Sequence, residues 1–104
     1  MKRTKSMYYC RTSQSDELFL YTVNTGIIYT EYTSPLIELL RKHYKKGVYS
    51  KNKAIDAYYK IATFAAKLYN KEFASDGYRS FSVTDRFTVA IEMEQRYYEQ
   101  VIVS

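Results

Sequence analysis

His43 and Cys10 are the only side chains in this sequence suited to act as a base near neutral pH or as a soft nucleophile. A hydrolase or transferase needs a nucleophile, a base and a charge-stabilising group converging in one pocket. His43 instead stands in a run of cations, Arg41, Lys42, Lys45 and Lys46. That run reads as the last turn of a helix, where histidine is favoured by the helix dipole alone. Cys10 follows Met7-Tyr8-Tyr9 and reads as a small apolar side chain rather than a thiolate. Glu92, Glu94 and Glu99 could gather around a metal, but Arg96 is interleaved, and Glu92 with Arg96 has the spacing of an ordinary ion pair one helical turn apart. A lone cysteine supplies neither a CxxC nor a Cys/His zinc pattern, and there is no glycine-rich phosphate loop. No catalytic residue, metal ligand or cofactor is expected. The residues point to binding rather than catalysis.

The stretch RKHYKKGVYSKNKAIDAYYK, residues 41–60, is where binding would concentrate. It carries eight basic side chains, counting His43, and four tyrosines. The candidate contact residues are Arg41, Lys42, Lys45, Lys46, Tyr49, Lys51 and Lys53, with Lys60 and Lys67 continuing along one helix face. Lys53, Lys60 and Lys67 recur every seven residues, about 10 Å apart by helical rise. Such a row can track a phosphate backbone, each contact adding a salt-sensitive contribution. It can equally meet an acidic protein, or be the solvated face of a helix whose other face is apolar. Asp56, in the same stripe, weakens the phosphate reading. Gly47 lies in a short link, as in a helix-turn-helix, but the helix that follows is too apolar to lie free in a groove.

Asp85, Glu92 and Glu99 repeat the spacing of seven with opposite sign. Residues 1–71 hold thirteen Lys/Arg against five Asp/Glu, whereas residues 72–104 hold three against six. If the two helices lie side by side, the rows can pair and consume the lysines. Of the thirteen tyrosines, Tyr58, Tyr69, Tyr97 and Tyr98 read as core residues with hydroxyls at the rim. Tyr8, Tyr9, Tyr29, Tyr32, Tyr44, Tyr49 and Tyr78 fall near ends and links, where they suit a protein interface or stacking on unpaired bases.

Three helices are predicted to position these side chains. One spans about 35–46, with Pro35 in its first turn, and one spans 51–73, capped by Ser50 or Asn52 after a stop at Gly47. The third spans 83–102, capped by Ser82 or Thr84, with Phe87, Ala90, Ile91, Tyr97, Tyr98 and Val101 facing inward. Residues 16–32 are ambiguous. Their β-branched and aromatic residues around Asn24-Thr25-Gly26 favour a hairpin, while Ser15-Asp16-Glu17 reads as a helix start. The length suits one domain, residues 1–104, with residues 1–6 a flexible basic tail. Without an apolar leader or a span of about 18 apolar residues, a cytoplasmic protein without membrane contact is expected.

The combination KKGVYSKNKAIDAYY, AAKLYNKEF and TDRFTVAIEM resembles a group of small helical proteins of bacteriophages and other mobile elements, mostly without assigned activity. The resemblance covers about residues 15–100. It rests on Lys46 to Tyr49, on Ala65 to Phe73, and on Arg86 with Ala90. The tyrosine content and Pro35 depart from the pattern. The resemblance implies helix in the ambiguous stretch, and hence an all-α bundle of three to four helices, with an α+β fold carrying a hairpin at 17–32 as the alternative. It also implies an accessory or inhibitor protein acting on a host protein or ribonucleoprotein complex of nucleic-acid processing or defence, of the anti-CRISPR or anti-restriction kind. Direct DNA or RNA binding is the alternative, and a homodimer through oppositely charged helix faces a third reading.

Overall fold

The computed structural model describes residues 9–73, 75 and 77–103. The basic tail expected at residues 1–6, and Met7 and Tyr8, lie outside them. Four long helices, α1 (Ser13–Asn24), α3 (Ser34–Lys45), α4 (Lys51–Glu72) and α5 (Val83–Ile102), form the bundle, with a short turn α2 (Gly26–Ile28) after α1. Among the described residues there is no strand. The fold is all-α, and the hairpin alternative at 17–32 is overturned.

That segment misleads because its buried face is built from hydroxyls. Ser15, Leu18 and Thr22 are buried at helical spacing. The Thr22 hydroxyl donates to the Leu18 carbonyl at 2.7 Å, and the Thr25 hydroxyl to the Tyr21 carbonyl at 2.6 Å. Thr22 therefore enters the core with its hydrogen bond made inside its own helix, and half-buried Thr25 bonds back to the helix it closes. The start lies two residues before the expected one. Thr12 is the N-cap, and its hydroxyl accepts from the Ser15 N–H while the Ser15 hydroxyl accepts from the Thr12 N–H.

Pro35 does lie in the first turn of α3, but the helical backbone begins earlier. A π-turn over Tyr29–Thr33 joins α2 to α3, with Ser34 N–H bonded to the Tyr29 carbonyl. Within a helix a proline has no N–H to donate, and its ring meets the carbonyl one turn back. The widened turn immediately before Pro35 is the adjustment that lets the rod continue.

At the other end of α3 the chain stops as expected. Gly47 has φ +75°, its N–H donates to the Tyr44 carbonyl, and Val48 N–H donates to the His43 carbonyl. This paired closure is the Schellman arrangement, which requires the left-handed conformation glycine adopts freely. Ser50 then caps α4 by accepting from Lys53 N–H, and Ser82 with Asp85 forms a reciprocal cap on α5.

The α4–α5 pair is the centre of the molecule. Tyr49 meets Glu94 near one end, and Tyr69 packs edge-on against Phe81 near the other, so the two run antiparallel. Ile55, Tyr58, Ala62, Ala65 and Tyr69 of α4 are buried as expected; on α5 Val89, Met93 and Thr88 are buried as well, while Phe87 and Tyr98 are half-buried. The Cα envelope measures 46 × 37 × 16 Å. A thickness of 16 Å is two helix layers, so much of every helix remains at a surface.

Candidate binding surface

The structure gathers most of the expected contact residues at the turn between α3 and α4. Lys42, Lys45, Lys46, Lys51 and Lys53 are exposed there, and Lys60 and Lys67 are exposed further along α4. Among the described residues none of these seven lysines forms an ion pair. Two of the three acids in the α5 row are occupied elsewhere. Asp85 is buried and accepts from the Thr12 hydroxyl at 2.9 Å and the Ser82 N–H at 3.1 Å. Glu92 lies 3.9 Å from Arg11 and accepts from the Tyr9 hydroxyl at 3.3 Å. Burial raises the Glu92 carboxyl above the usual range, opposed by the Tyr9 hydrogen bond and by Arg11. Among the described residues the two charged rows do not meet: Asp85 and Glu92 are held by the N-terminal segment, Glu99 is exposed, and Lys51, Lys53, Lys60 and Lys67 of α4 face solvent. Arg96 lies over the Tyr97 ring instead of pairing with Glu92.

Two expected contact residues are held in place by the fold. Arg41 donates to the carbonyl of Gln100 near the end of α5, where a helix leaves carbonyls unpaired. Tyr49 is half-buried, and its hydroxyl donates to Glu94 at 2.7 Å. Burial first, and the Glu94 hydrogen bond second, push its phenol well above the ordinary tyrosine range. Cys10 is exposed rather than packed in the core, and its backbone N–H and carbonyl are both held by the Thr88 hydroxyl.

The lysine cluster borders apolar side chains that charge alone does not mark. Leu36, Leu39, Leu40 and His43 of α3 face Val48, Ser50, Lys53 and Ala57 across a groove of about 350 Å³. Leu39 is 48% exposed and Val48 61%. Phe64 lies on the lysine face, one turn after Lys60, and is 38% exposed, with its ring 4.8 Å from that of Tyr32. The seam between α3 and α4 is thus an apolar strip bordered by cations. A helix-face reading that places Phe64 beside Lys60 and Lys67 would have flagged it, but the residue also fits the apolar row of Ala54, Ile61 and Leu68. Glu94, which the sequence offers only as a possible metal-gathering carboxylate with Glu92 and Glu99, is buried and does not share a face with them. Its position between Ala90 and Tyr97 on the inner stripe was the available signal.

Among the described residues no helix is long and apolar enough to cross a membrane. Set against protein-family models, curated proteins and solved structures, the chain matches none.

Proposed function

We propose that the protein is a non-enzymatic docking protein that uses the α3–α4 seam to hold an acidic, partly apolar surface of another protein. The observation that supports this reading over the others is the exposure of Leu39 and Val48 among lysines without ion-pair partners. Lysines alone suit phosphates and carboxylates equally. Aliphatic side chains gain only when apolar surface covers them, about 25 cal/mol per Å² buried, and a nucleic-acid backbone offers little of it. The class of partner, a host nucleic-acid-processing or defence complex, follows from the resemblance to phage and mobile-element proteins. With a net charge of +5 the chain is the wrong sign for a DNA mimic, which leaves docking on an acidic face of such a complex.

A second reading, direct binding of single-stranded nucleic acid, is favoured by the Tyr32–Phe64 pair beside Lys60 and Lys67, since bases stack on exposed rings. Titration with short single- and double-stranded DNA and RNA at about 50 and 200 mM salt separates the two. The docking reading expects weak binding that disappears at the higher salt and is indifferent to L39S and V48S. Tight binding that persists at the higher salt and is lost in F64A would overturn it in favour of the second.

A further inference from the structure

We propose that the cavity bounded by Tyr49, Lys51, Glu94, Gln95 and Tyr98 is a recognition site for a small organic cation bearing an alkylammonium group. The cavity is separate from the α3–α4 groove and measures about 420 Å³, within the range of small-molecule sites. Its distinguishing feature is Glu94, which is only 4% exposed. A carboxylate has room for about four hydrogen bonds. Among the described residues, Glu94 receives one, from the Tyr49 hydroxyl, and no cationic nitrogen lies within 4 Å of it. Buried carboxylates are ordinarily paired with a cation or fully hydrogen-bonded, whereas this one lines the cavity with a single hydrogen bond among the described residues.

The surrounding rings fit the missing partner. Tyr49 and Tyr98 stand with centroids 5.9 Å apart and planes 56° apart, and Tyr44 backs the Tyr49 ring at 6.2 Å. An alkylammonium resting against these rings beside Glu94 gains attraction from the ring quadrupoles and a charge-assisted hydrogen bond to the carboxylate. Tyr58, whose hydroxyl is buried without a hydrogen-bond partner among the described residues, holds its proton more tightly, first through burial and second through the nearby negative charge of Glu94. Lys51 at the rim is a like charge to the ligand and limits its affinity.

The test is a titration of the whole protein with butylammonium and tetramethylammonium chloride at constant ionic strength, followed through the ¹H–¹⁵N signals of Gln95 and Tyr98. Saturable shifts with midpoints of about millimolar are expected for ligands of so few atoms, with no response to neutral butanol. E94Q, which keeps the shape and removes the charge, is expected to weaken binding about tenfold or more. K51A is expected to tighten it several-fold, and it supplies the decision if E94Q does not fold. Linear or absent shifts with both cations, a folded E94Q with unchanged affinity, or a K51A that binds more weakly would each overturn the proposal.

Discussion

Replacing Tyr58 by phenylalanine is expected to stabilise the protein by about 1 kcal/mol, whereas replacing it by alanine is expected to cost about 3–5 kcal/mol. The opposite signs follow from one side chain carrying a favourable and an unfavourable feature. The ring is 1% exposed, belongs to the core built by α4 and α5, and stacks at 6.1 Å on Tyr97. Its removal leaves a ring-sized cavity in the core between α4 and α5, a loss large beside the roughly 5–15 kcal/mol by which domains of this size are ordinarily stable. The hydroxyl, in contrast, is buried with no hydrogen-bond partner among the described residues. It gave up water on folding and received nothing in exchange. Urea unfolding of the three proteins measures both differences. A Y58F variant less stable than the parent would mean that the hydroxyl has a partner and that the core polar group is satisfied.

Raising the pH above 10 is expected to destabilise the fold steeply, well before the backbone is otherwise affected. The Tyr21 hydroxyl donates to Glu72 at 2.6 Å, and burial followed by that hydrogen bond pushes its pKa up to about 12. Burial, together with the nearby Glu94, raises Tyr49 and Tyr58 as well, and burial raises Tyr97. In the unfolded chain these phenols ionise near pH 10. Between that value and about 12 the folded state holds more protons than the unfolded one, so stability falls as pH rises. The contribution is fully present below pH 10 and is lost as pH climbs through the folded value. Urea midpoints are expected to be level from about pH 7 to 9 and to fall above 10, with the last part of the tyrosinate absorbance, that of the buried phenols, appearing together with loss of helix. Tyrosinate absorbance complete ahead of unfolding would show that these hydroxyls are not held by the fold.

Most of the helical frame could be read from residue types. Gly47 followed by Ser50 marks a stop and restart whose geometry only a few side chains satisfy, and Ser82 with Asp85 marks the start of α5 in the same way. Local chemistry of this kind survives whatever the rest of the chain does. The N-terminal third was harder because its inward face is Ser15 and Thr22 as much as Leu18, and self-bonded hydroxyls give no apolar period. The binding surface divides along similar lines. The cluster Lys42, Lys45, Lys46, Lys51 and Lys53 is visible from charge alone. Which lysines lack partners depends on where α5 sends its acids, and Thr12 and Arg11 determine that from more than 70 residues away in sequence. The burial of Glu94 is hard to read in advance, because a carboxylate among glutamates looks solvated until the helix it sits on is docked.

Site-specific photo-cross-linking in bacterial cells that produce the protein bears most directly on the docking surface, with the cross-linking residue placed at Val48 in one protein and at Ser80 in another. Val48 borders the apolar groove beside the lysines, and Ser80 is exposed beyond the far end of α4. A single acidic protein is expected to be captured from position 48 and not from position 80, and the adduct is expected to vanish when Lys45, Lys46, Lys51 and Lys53 are changed to Glu or when Leu39 is changed to Ser. Adducts to nucleic acid, equal capture at both positions, no adduct from position 48, or an adduct that survives those substitutions would contradict docking through the α3–α4 seam.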